Sequence, residues 1–454
     1  MEIRVINPGK TIDSKKTIEI NSVLGEKLAE MNIVPRIMIN NITRKIRDSR
    51  LISLDEISNI FNKASKIFLY NNIDGLDFRE YVEYVHKMTG IPIKFALQRA
   101  TELGESLKEI PSDVKLQAPR GTSIYKYGGE NHSGIYWVPV GKVLGVVAPG
   151  NNPLVHRSWL EALAVGYKIL IRPSEKEPFT PYRLVESLLK AGMPEDSIAF
   201  IPGTHDIVDD IIECSDFTLI FGDLSMQKLY SKSNKVIMRG PGYAKVFLND
   251  MKDEGDMCKL EERILDSIIS DGGMKCVNTS GIVYHKNYHK NIKRIIENML
   301  DINITGIMDY NAKLPICTRD KAVLMSNFIN KLIEDNNIKR IYSDSKDYFV
   351  DVGKNICAMK PLILKVEGNS QWISNFELPF PAIWIYEYDE NINFNILKNS
   401  LSLMAFTKDE SFIEKLILEP SIKKIITQEN CITGRGIPHD GYILNRLFTS
   451  KAII

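Results

Sequence analysis

The chain has 454 residues, 44% hydrophobic and 25% charged, which is typical of a globular protein of two or three domains. Its 58 basic and 57 acidic residues nearly cancel, so we expect no nucleic-acid partner. No apolar run approaches the ~20 residues of a membrane helix, and the start lacks an apolar signal core, so we expect no membrane insertion.

The cysteines and histidines indicate a reducing compartment and no metal site. The six cysteines are scattered without a close pair, which argues against a disulfide framework and against zinc. The seven histidines show no metal-ligand spacing. We therefore predict a cytoplasmic protein without a metal.

Residues 1–118 are predicted to be largely helical after a short β start and to form the helical part of a cofactor domain. Apolar residues recur at helical spacing in 54–70, 78–88 and 95–107. Residues 119–140 are predicted to form a hairpin, because TSIYKY and GIYWVPV flank a glycine-rich turn. Its exposed aromatic side chains favour an oligomer contact over a ligand site, so we expect a homo-oligomer.

From residue 141 to 243, short apolar runs alternate with helices of about ten residues. The runs are VLGVVAP, KILIRP, SIAFIPG and FTLIFG. This alternation indicates parallel βαβ units in a doubly wound sheet. Ligands of such sheets bind at the carboxyl ends of the strands. The loops that follow these strands should therefore carry the informative residues.

The first of these loops is PGNNP, which begins at Pro149. The Asn151 amide can donate a hydrogen bond to an oxyanion, although asparagine is equally favoured as a turn residue. In the second loop, Arg172, Ser174 and Glu175 together suit a ribose, with or without a phosphate. The alternative for this loop is a helix cap followed by an exposed charge.

The third loop contains Gly222, where a glycine at a helix start lets the backbone approach a pyrophosphate. The neighbouring Asp223 would repel a phosphate and is also a candidate helix cap. The sequence contains no G-x-G-x-x-G, so the ordinary dinucleotide-binding fingerprint is missing.

Residues 244–427 are predicted to form a second α/β domain, followed by a returning tail at 428–454. In this domain DGGMKC joins an amphipathic helix to a strand, and its two glycines end the helix with a sharp turn. On this turn the sulfur of Cys276 can face a cleft and act as a nucleophile. The alternative is a small buried hydrophobic residue, as most free cysteines are.

Taken together, these segments resemble the aldehyde dehydrogenase superfamily over about residues 120–454. The resemblance rests on the order and spacing of VLGVVAPGNNPL, KILIRPSEKEPFTP, AGMPEDSIAFIPG, FELPFPAIWI, LSLMAFTKD and GYILNRLFTSKAII. It implies an aldehyde-dehydrogenase-like α/β fold, with two doubly wound α/β domains and an oligomerisation hairpin. It also implies NADH or NADPH as the cofactor.

The resemblance further implies a role for each matching residue. Cys276 is then the nucleophile, and Asn151 joins the Cys276 backbone N–H in an oxyanion hole. The implied cofactor-binding residues are Pro149, Arg172, Ser174, Glu175, Gly222 and Glu377. Among these, Arg172 and Glu175 would bind the adenosine ribose and Glu377 the nicotinamide ribose.

The sequence departs from the family at a glutamate that activates the hydrolytic water. Its position, two residues before a Gly-Gly pair in the family, falls on Met238, and neither Met238 nor Arg239 can act as a base. General-base help is typically worth ~10²–10⁴-fold, so a thioester on Cys276 should persist and exchange with a thiol. The segments RGPGYAKVFL and DGGMKC resemble the acylating members, the CoA-linked aldehyde dehydrogenases and the fatty acyl reductases of bioluminescence.

The predicted function is the reversible, NAD(P)H-dependent reduction of an acyl-CoA or carrier-protein-bound acyl group to an aldehyde. One alternative is a hydrolytic aldehyde dehydrogenase that uses Glu377 as its base. Another is a catalytically silent scaffold subunit, favoured by Asp223 and by Arg172 where the family usually has lysine.

Three further residues have chemistry that the sequence leaves open. Lys275 either lowers the pKa of the neighbouring thiol or points to solvent. His156 and His439 could protonate a leaving group, but a structural or surface role is the more common one for such histidines.

Overall fold

The computed structural model describes residues 1–8, 10–12, 14, 16–124, 134–250, 257–336, 338–340, 348–367, 371–427 and 441–453. The chain forms two compact units. The first comprises Met1–Thr89, Leu97–Gly240 and Gly434–Ile454, and the second comprises Gly90–Ala96 and Pro241–Thr433. The longer segment of the second unit thus begins at Pro241, within the segment 141–243 that the sequence assigns to a doubly wound sheet.

The first unit is built on a seven-stranded sheet. In sheet order its strands are β12 (Val236–Arg239), β11 (Phe217–Phe221), β8 (Val143–Val147), β9 (Lys168–Arg172), β10 (Ile198–Phe200), β2 (Val5–Asn7) and β3 (Lys10–Ile12). The first five run parallel, and β2 and β3 add antiparallel pairs at one edge. Every residue of β8 and β9 is buried, because helices cover both faces of a parallel sheet.

The helices of this unit follow the apolar periodicity of the sequence. In the longest of them, the hydroxyl of the N-cap Ser53 accepts the Glu56 N–H, and Ile57 and Phe61 are fully buried. The helices are α1 (Arg36–Arg47), α2 (Leu54–Tyr70), α3 (Phe78–Thr89), α4 (Ile93–Ser106, whose first turn belongs to the second unit), α5 (Ile110–Gln117), α6 (Arg157–Ala164), α7 (Phe179–Lys190), α8 (Val208–Cys214), α9 (Leu224–Tyr230) and α14 (Leu444–Leu447).

Two three-stranded sheets complete the first unit, and one of them corrects a prediction. They are β1 (Glu2–Ile3), β5 (Lys27–Asn32) and β4 (Thr17–Asn21), and β23 (Phe448–Ile453), β7 (Gly134–Pro139) and β6 (Thr122–Ile124). The hairpin predicted over 119–140 is wrong, because β6 pairs with β7 in parallel, whereas a hairpin requires antiparallel strands. The antiparallel partner of β7 is the distant β23, and the predicted turn lies outside the described residues.

The second unit contains another seven-stranded sheet. Its strands are β16 (Lys339–Arg340), β19 (Leu362–Lys365), β20 (Ala382–Tyr388), β14 (Thr279–His285), β13 (Ala244–Leu248), β21 (Leu403–Phe406) and β22 (Ile425–Ile426), all parallel except β16. Its helices are α10 (Met257–Ile269), α11 (His289–Leu300), α12 (Arg319–Asn336) and α13 (Glu410–Leu418). A smaller antiparallel sheet holds β15 (Ile316–Thr318), β18 (Ile356–Met359) and β17 (Phe349–Gly353).

The core of the second unit lies on both faces of its large sheet. Along β13, Val246 packs into one cluster of buried side chains and the next residue, Phe247, packs into another. Along β14, Ile282 packs into the same cluster as Val246, and Val283 packs into the same cluster as Phe247. This alternation is what a doubly wound sheet requires, because successive residues of a strand face opposite sides.

The candidate residues lie at opposite strand ends in the two units. In the first unit they follow β8, β9 and β11, at the carboxyl ends that the sequence analysis expected. In the second unit Gly242, Cys276 and Glu377 precede β13, β14 and β20, which are neighbours in the sheet. The nucleophile loop therefore lies at the amino ends of these strands. No helix in the described ranges is long and apolar enough to cross a bilayer.

Candidate active site

The Cys276 loop begins with three successive residues in the left-handed region. Asp271, Gly272 and Gly273 have φ angles of 54°, 66° and 71°, so the predicted sharp turn after α10 is present. A Cβ on Gly273 would lie 2.5 Å from the main chain of Phe380 and Pro381. Only glycine fits there, because both the backbone angle and the close approach exclude a side chain. The turn leaves Cys276 half-buried, immediately before β14.

Asn278 holds this loop in shape. Its side-chain carbonyl accepts the Lys275 N–H at 2.7 Å, and its amide donates to the carbonyls of Ser267 and Ser270 at 2.9 Å each. These bonds tie the residues on both sides of Cys276 to the end of α10. Sequence reasoning did not identify Asn278, although an amide two residues after the cysteine and directly before a strand was the available signal.

The charge of Lys275 is directed to a carboxylate. Its ammonium nitrogen lies 2.7 Å from Oδ2 of Asp271, whose side chain is fully buried. This arrangement differs from both alternatives in the sequence analysis, which were a lysine beside the thiol and a lysine in solvent. The ion pair braces the loop from Asp271 to Lys275 in addition to the Asn278 bonds.

Gly242 packs directly on the main chain of Cys276. A Cβ added to Gly242 would lie 1.5 Å from the Cys276 carbonyl oxygen. This contact explains the second glycine of RGPG, because any side chain there would occupy the space of the Cys276 carbonyl group.

Replacing Gly242 by alanine is expected to lower the melting temperature by several degrees and to reduce acyl transfer. The added Cβ would clash with a backbone oxygen, and overpacking of this kind costs about 1–3 kcal/mol. Gly306→Ala is the matched control, because nothing lies within 4 Å of a Cβ added there. Thermal melting of both variants checks the prediction, and equal melting temperatures would contradict it.

Glu377 also contacts the Gly242 turn. Its Oε2 accepts the N–H of Gly242 at 3.1 Å and of Tyr243 at 2.8 Å. Burial raises the pKa of the Glu377 carboxyl, and the two N–H donors partly oppose that shift. The carboxylate predicted to bind a nicotinamide ribose thus holds the backbone beside Cys276 in this structure.

In the first unit, the loop after β8 separates the roles of its two asparagines. Asn152 caps the following short helix, since its side-chain oxygen accepts the Leu154 N–H at 3.0 Å. Asn151 is not used in that turn, and its Oδ1 is buried without a hydrogen-bond partner among the described residues. The turn chemistry therefore falls to Asn152, and Asn151 keeps its predicted availability to a ligand. Pro149 and Gly150 form the start of this loop, and a Cβ on Gly150 would lie 2.7 Å from Oγ of Ser174.

The loop after β9 differs from the prediction in the position of Arg172. Its side chain is only 3% exposed; its Nε donates to the Gly203 carbonyl at 2.9 Å and its Nη2 to Glu175 Oε1 at 3.0 Å. Arg172 therefore braces its neighbours instead of presenting its charge to a ligand. The carboxylate of Glu175, whose side chain is 41% exposed, can accept ribose hydroxyls. Ser174 accepts the Lys176 N–H, as expected of a turn residue.

At the loop after β11, Asp223 is the helix cap that the sequence allowed. Its Oδ1 accepts the N–H groups of Ser225 at 2.9 Å and Met226 at 3.1 Å. These donors are therefore already occupied, so the start of α9 does not fit a pyrophosphate. Gly222 donates its own N–H to the Arg239 carbonyl at 3.0 Å. The first unit thus fits a ribose at Glu175 better than it fits a phosphate at Gly222.

Two of the positions considered for acid–base chemistry, Met238 and His156, are not suited to it. Met238 lies in β12, opposite Ile220, and carries no titratable group. His156 is fully buried, which lowers its pKa to about 3, and its Nδ1 accepts the Trp159 indole N–H at 3.0 Å. It is therefore neutral at ordinary pH and is a structural residue. His439 lies outside the described residues.

The sequence model of one known family, the aldehyde dehydrogenase family, matches residues 49–417 of this chain. The chain belongs to this family. The superfamily inferred from the motif order is thereby confirmed, whereas the finer resemblance to its acylating members remains a prediction.

Curated relatives of this aldehyde dehydrogenase family member are about 25% identical to it over the aligned residues. A fatty aldehyde dehydrogenase of Saccharomyces cerevisiae is 25% identical over 320 residues, covering 66% of this chain and 57% of that protein. A malonate-semialdehyde dehydrogenase of Bacillus subtilis is 25% identical over 263 residues, covering 55% of this chain and 49% of that protein. The chain therefore spans about half the length of the curated relatives it matches.

Solved structures of the family confirm the expected α/β fold. The aldehyde dehydrogenase KauB from Pseudomonas aeruginosa has a TM-score of 0.81 at 16% identity, covering 99% of this chain and 96% of that chain. An aldehyde dehydrogenase from Bacillus cereus, solved as its NAD+ complex, has a TM-score of 0.79 at 16% identity, covering 100% and 96%. At these identities the likeness establishes the fold alone.

Among the described residues, no group of three or more His, Cys, Asp or Glu side chains is placed to hold a metal ion. None of the five cysteines in the same part of the chain is in a disulfide bond.

Proposed function

We propose that this protein reduces an acyl thioester, carried by CoA or a carrier protein, to an aldehyde through a covalent acyl group on Cys276. The observation that carries the proposal is Met238, which stands where the family motif has its hydrolytic glutamate. A methionine cannot take a proton from water. Hydrolysis of the thioester on Cys276 therefore lacks the general-base help that is typically worth ~10²–10⁴-fold.

In the proposed reaction the Cys276 thiolate, which has lost its proton to solvent, attacks the acyl carbonyl. The bond from the acyl carbon to the carrier sulfur breaks, and the carrier leaves as a thiolate that takes up a proton from solvent. Asn151, with its side chain outside the turn bonding, is the proposed donor to the oxyanion, together with the Cys276 N–H. The turn from Asp271 to Lys275, tied by Asn278, presents the sulfur. Release of the aldehyde returns Cys276 to the thiolate, and in the reverse direction an aldehyde becomes a thioester.

Glu175 would hold a ribose of a nicotinamide dinucleotide, which would supply the hydride to, or accept it from, the carbon bound to the Cys276 sulfur. The exposed carboxylate of Glu175, held by Arg172, supports binding of the diol. The capped start of α9 implies that the phosphates of the dinucleotide contact other donors. Self-association is a further proposal that follows from the family resemblance.

A second candidate is a hydrolytic aldehyde dehydrogenase whose base is Glu377. Burial raises the pKa of this carboxyl, which makes it a stronger base than an exposed glutamate. The curated relatives named above are aldehyde dehydrogenases by name. Against this candidate, Oε2 of Glu377 already accepts two backbone N–H groups.

Product identity tests the proposal. The full chain is incubated with an aldehyde and NAD(P)+, with and without CoA, and the products are identified by mass spectrometry. We expect acyl-CoA to form, together with slow carboxylate formation when no thiol is present. Rapid thiol-independent carboxylate formation would favour the hydrolytic candidate. Failure to bind NADH or NADPH in a fluorescence titration would instead favour a catalytically silent subunit.

A further inference from the structure

Lys245 is a buried lysine at the second position of β13, the strand that follows the Gly242 turn. Its residue is 1% exposed, and all five positions of β13 are buried. Lysine is almost never fully buried without partners, because desolvating an ammonium is costly. In the sequence, Lys245 was considered only as part of the segment RGPGYAKVFL, so its role was missed.

The Lys245 ammonium is surrounded by three acceptors. Nζ lies 2.8 Å from the Tyr243 carbonyl, 3.0 Å from the Lys398 carbonyl and 3.0 Å from Oγ of Ser400. A protonated amine has three N–H donors, whereas a neutral amine has two. The arrangement therefore matches the charged form. The charged group that faces it is the carboxylate of Glu377, and its three bonded partners are neutral.

Together Lys245 and Glu377 hold the backbone of one residue, Tyr243, through its two polar groups. The Tyr243 N–H donates to Glu377, and the Tyr243 carbonyl accepts from Lys245. Tyr243 has a φ of 46°, which is costly for a residue with a bulky side chain. These bonds hold the backbone in that conformation, and the preceding residue, Gly242, is the one packed on the Cys276 carbonyl.

We propose that Lys245 is a positioning residue for the reaction of Cys276: its ammonium, acting with Glu377, holds the backbone of Tyr243 and thereby keeps Gly242 against the main chain of the nucleophile. The chemistry assigned to Cys276 rests on the proposed function, but the positioning itself concerns the reactivity of the thiol and can be measured without an acyl substrate.

The charge of Lys245 makes this support sensitive to pH. Burial lowers the pKa of the Lys245 ammonium to about 7, against an opposing effect of Glu377. Below this pH the three acceptors each have a donor. As the pH rises through the pKa of Lys245, the amine loses one N–H donor and the backbone of Tyr243 is held less firmly. The reactivity of Cys276 should therefore show a break near pH 7 that belongs to Lys245 and is separate from the ionisation of the thiol.

The test is the rate of Cys276 alkylation by iodoacetamide between about pH 6 and pH 9, followed by peptide mass spectrometry on the full chain. Lys245→Met is compared with Lys168→Met, which removes another buried lysine, one that donates to the Arg50 carbonyl from β9 in the first unit. We expect the break near pH 7 in the wild type and in Lys168→Met, and its loss in Lys245→Met. The same profile in all three proteins would overturn the proposal.

A milder variant keeps the test decisive if Lys245→Met does not fold. Ser400→Ala removes one acceptor from the ammonium, which disfavours the charged form and should move the break to lower pH. An unmoved break would contradict the role of Lys245. If the wild type forms no acyl group on Cys276 from acyl-CoA, the proposed function fails, whereas the alkylation profile still decides the positioning role.

Discussion

Replacing Cys276 by serine is expected to reduce acyl transfer by about 10³-fold or more, while binding of the dinucleotide stays nearly unchanged. A serine hydroxyl remains protonated where a cysteine thiol partly ionises, so the serine is the weaker nucleophile. Turnover of acyl-CoA with NADH or NADPH measures the first effect, and a fluorescence titration of the reduced dinucleotide measures the second.

Cys258→Ser is the matched control for this substitution. Cys258 is an exposed, free thiol on α10, the same helix that leads into the Cys276 loop. Its replacement should leave turnover at the wild-type level. Wild-type turnover in Cys276→Ser would contradict the nucleophile assignment. Equal loss in both variants would point to damage of the helix instead of loss of a nucleophile.

Replacing Met238 by glutamate is expected to raise thiol-independent hydrolysis of the acyl-enzyme by about 10²-fold or more. The substitution restores the carboxylate at the position where the family motif carries its base. Met238 is half-buried in β12 at the edge of its sheet, which leaves room for a polar side chain at modest cost to stability. Carboxylate release from an aldehyde and NAD(P)+ without CoA is the measurement.

Met238→Gln separates basicity from size and polarity, because glutamine has the shape of glutamate without a proton-accepting carboxylate. It should hydrolyse as slowly as the wild type. Adding Cys276→Ser to Met238→Glu should abolish the gain, because the hydrolysed group is the thioester on that sulfur. Equal hydrolysis in the glutamate and glutamine variants would count against the proposed basis of the acylating reaction.

Glu377 connects the proposed function with the positioning proposal. The sequence predicts a ligand for the nicotinamide ribose, whereas the structure shows Oε2 of this residue on the N–H groups of Gly242 and Tyr243. A carboxylate with these donors organises the backbone around the nucleophile and has less capacity left to accept a proton from water. Both consequences favour transfer of the acyl group to a thiol over hydrolysis.

The sequence by itself determined the alternation of strands and helices, the turn that carries Cys276 and the membership of the family. Each of these depends on residues that are close in the chain. Apolar runs set the strands of both large sheets, and two glycines between a helix and a strand set the nucleophile turn. Capping was also readable, since Asp223 accepts from residues two and three positions later.

Only the tertiary structure decided which polar groups meet across the sheet. Local alternation suggested a hairpin, whereas β7 pairs in parallel with β6 and takes the distant β23 as its antiparallel partner. Glu377 reaches a backbone 135 residues away, and Lys245 reaches acceptors 153 and 155 residues away. Local patterns do not encode such partners. The neighbouring strands β13, β14 and β20 bring their amino ends together, and burial then requires each charge to find a partner there.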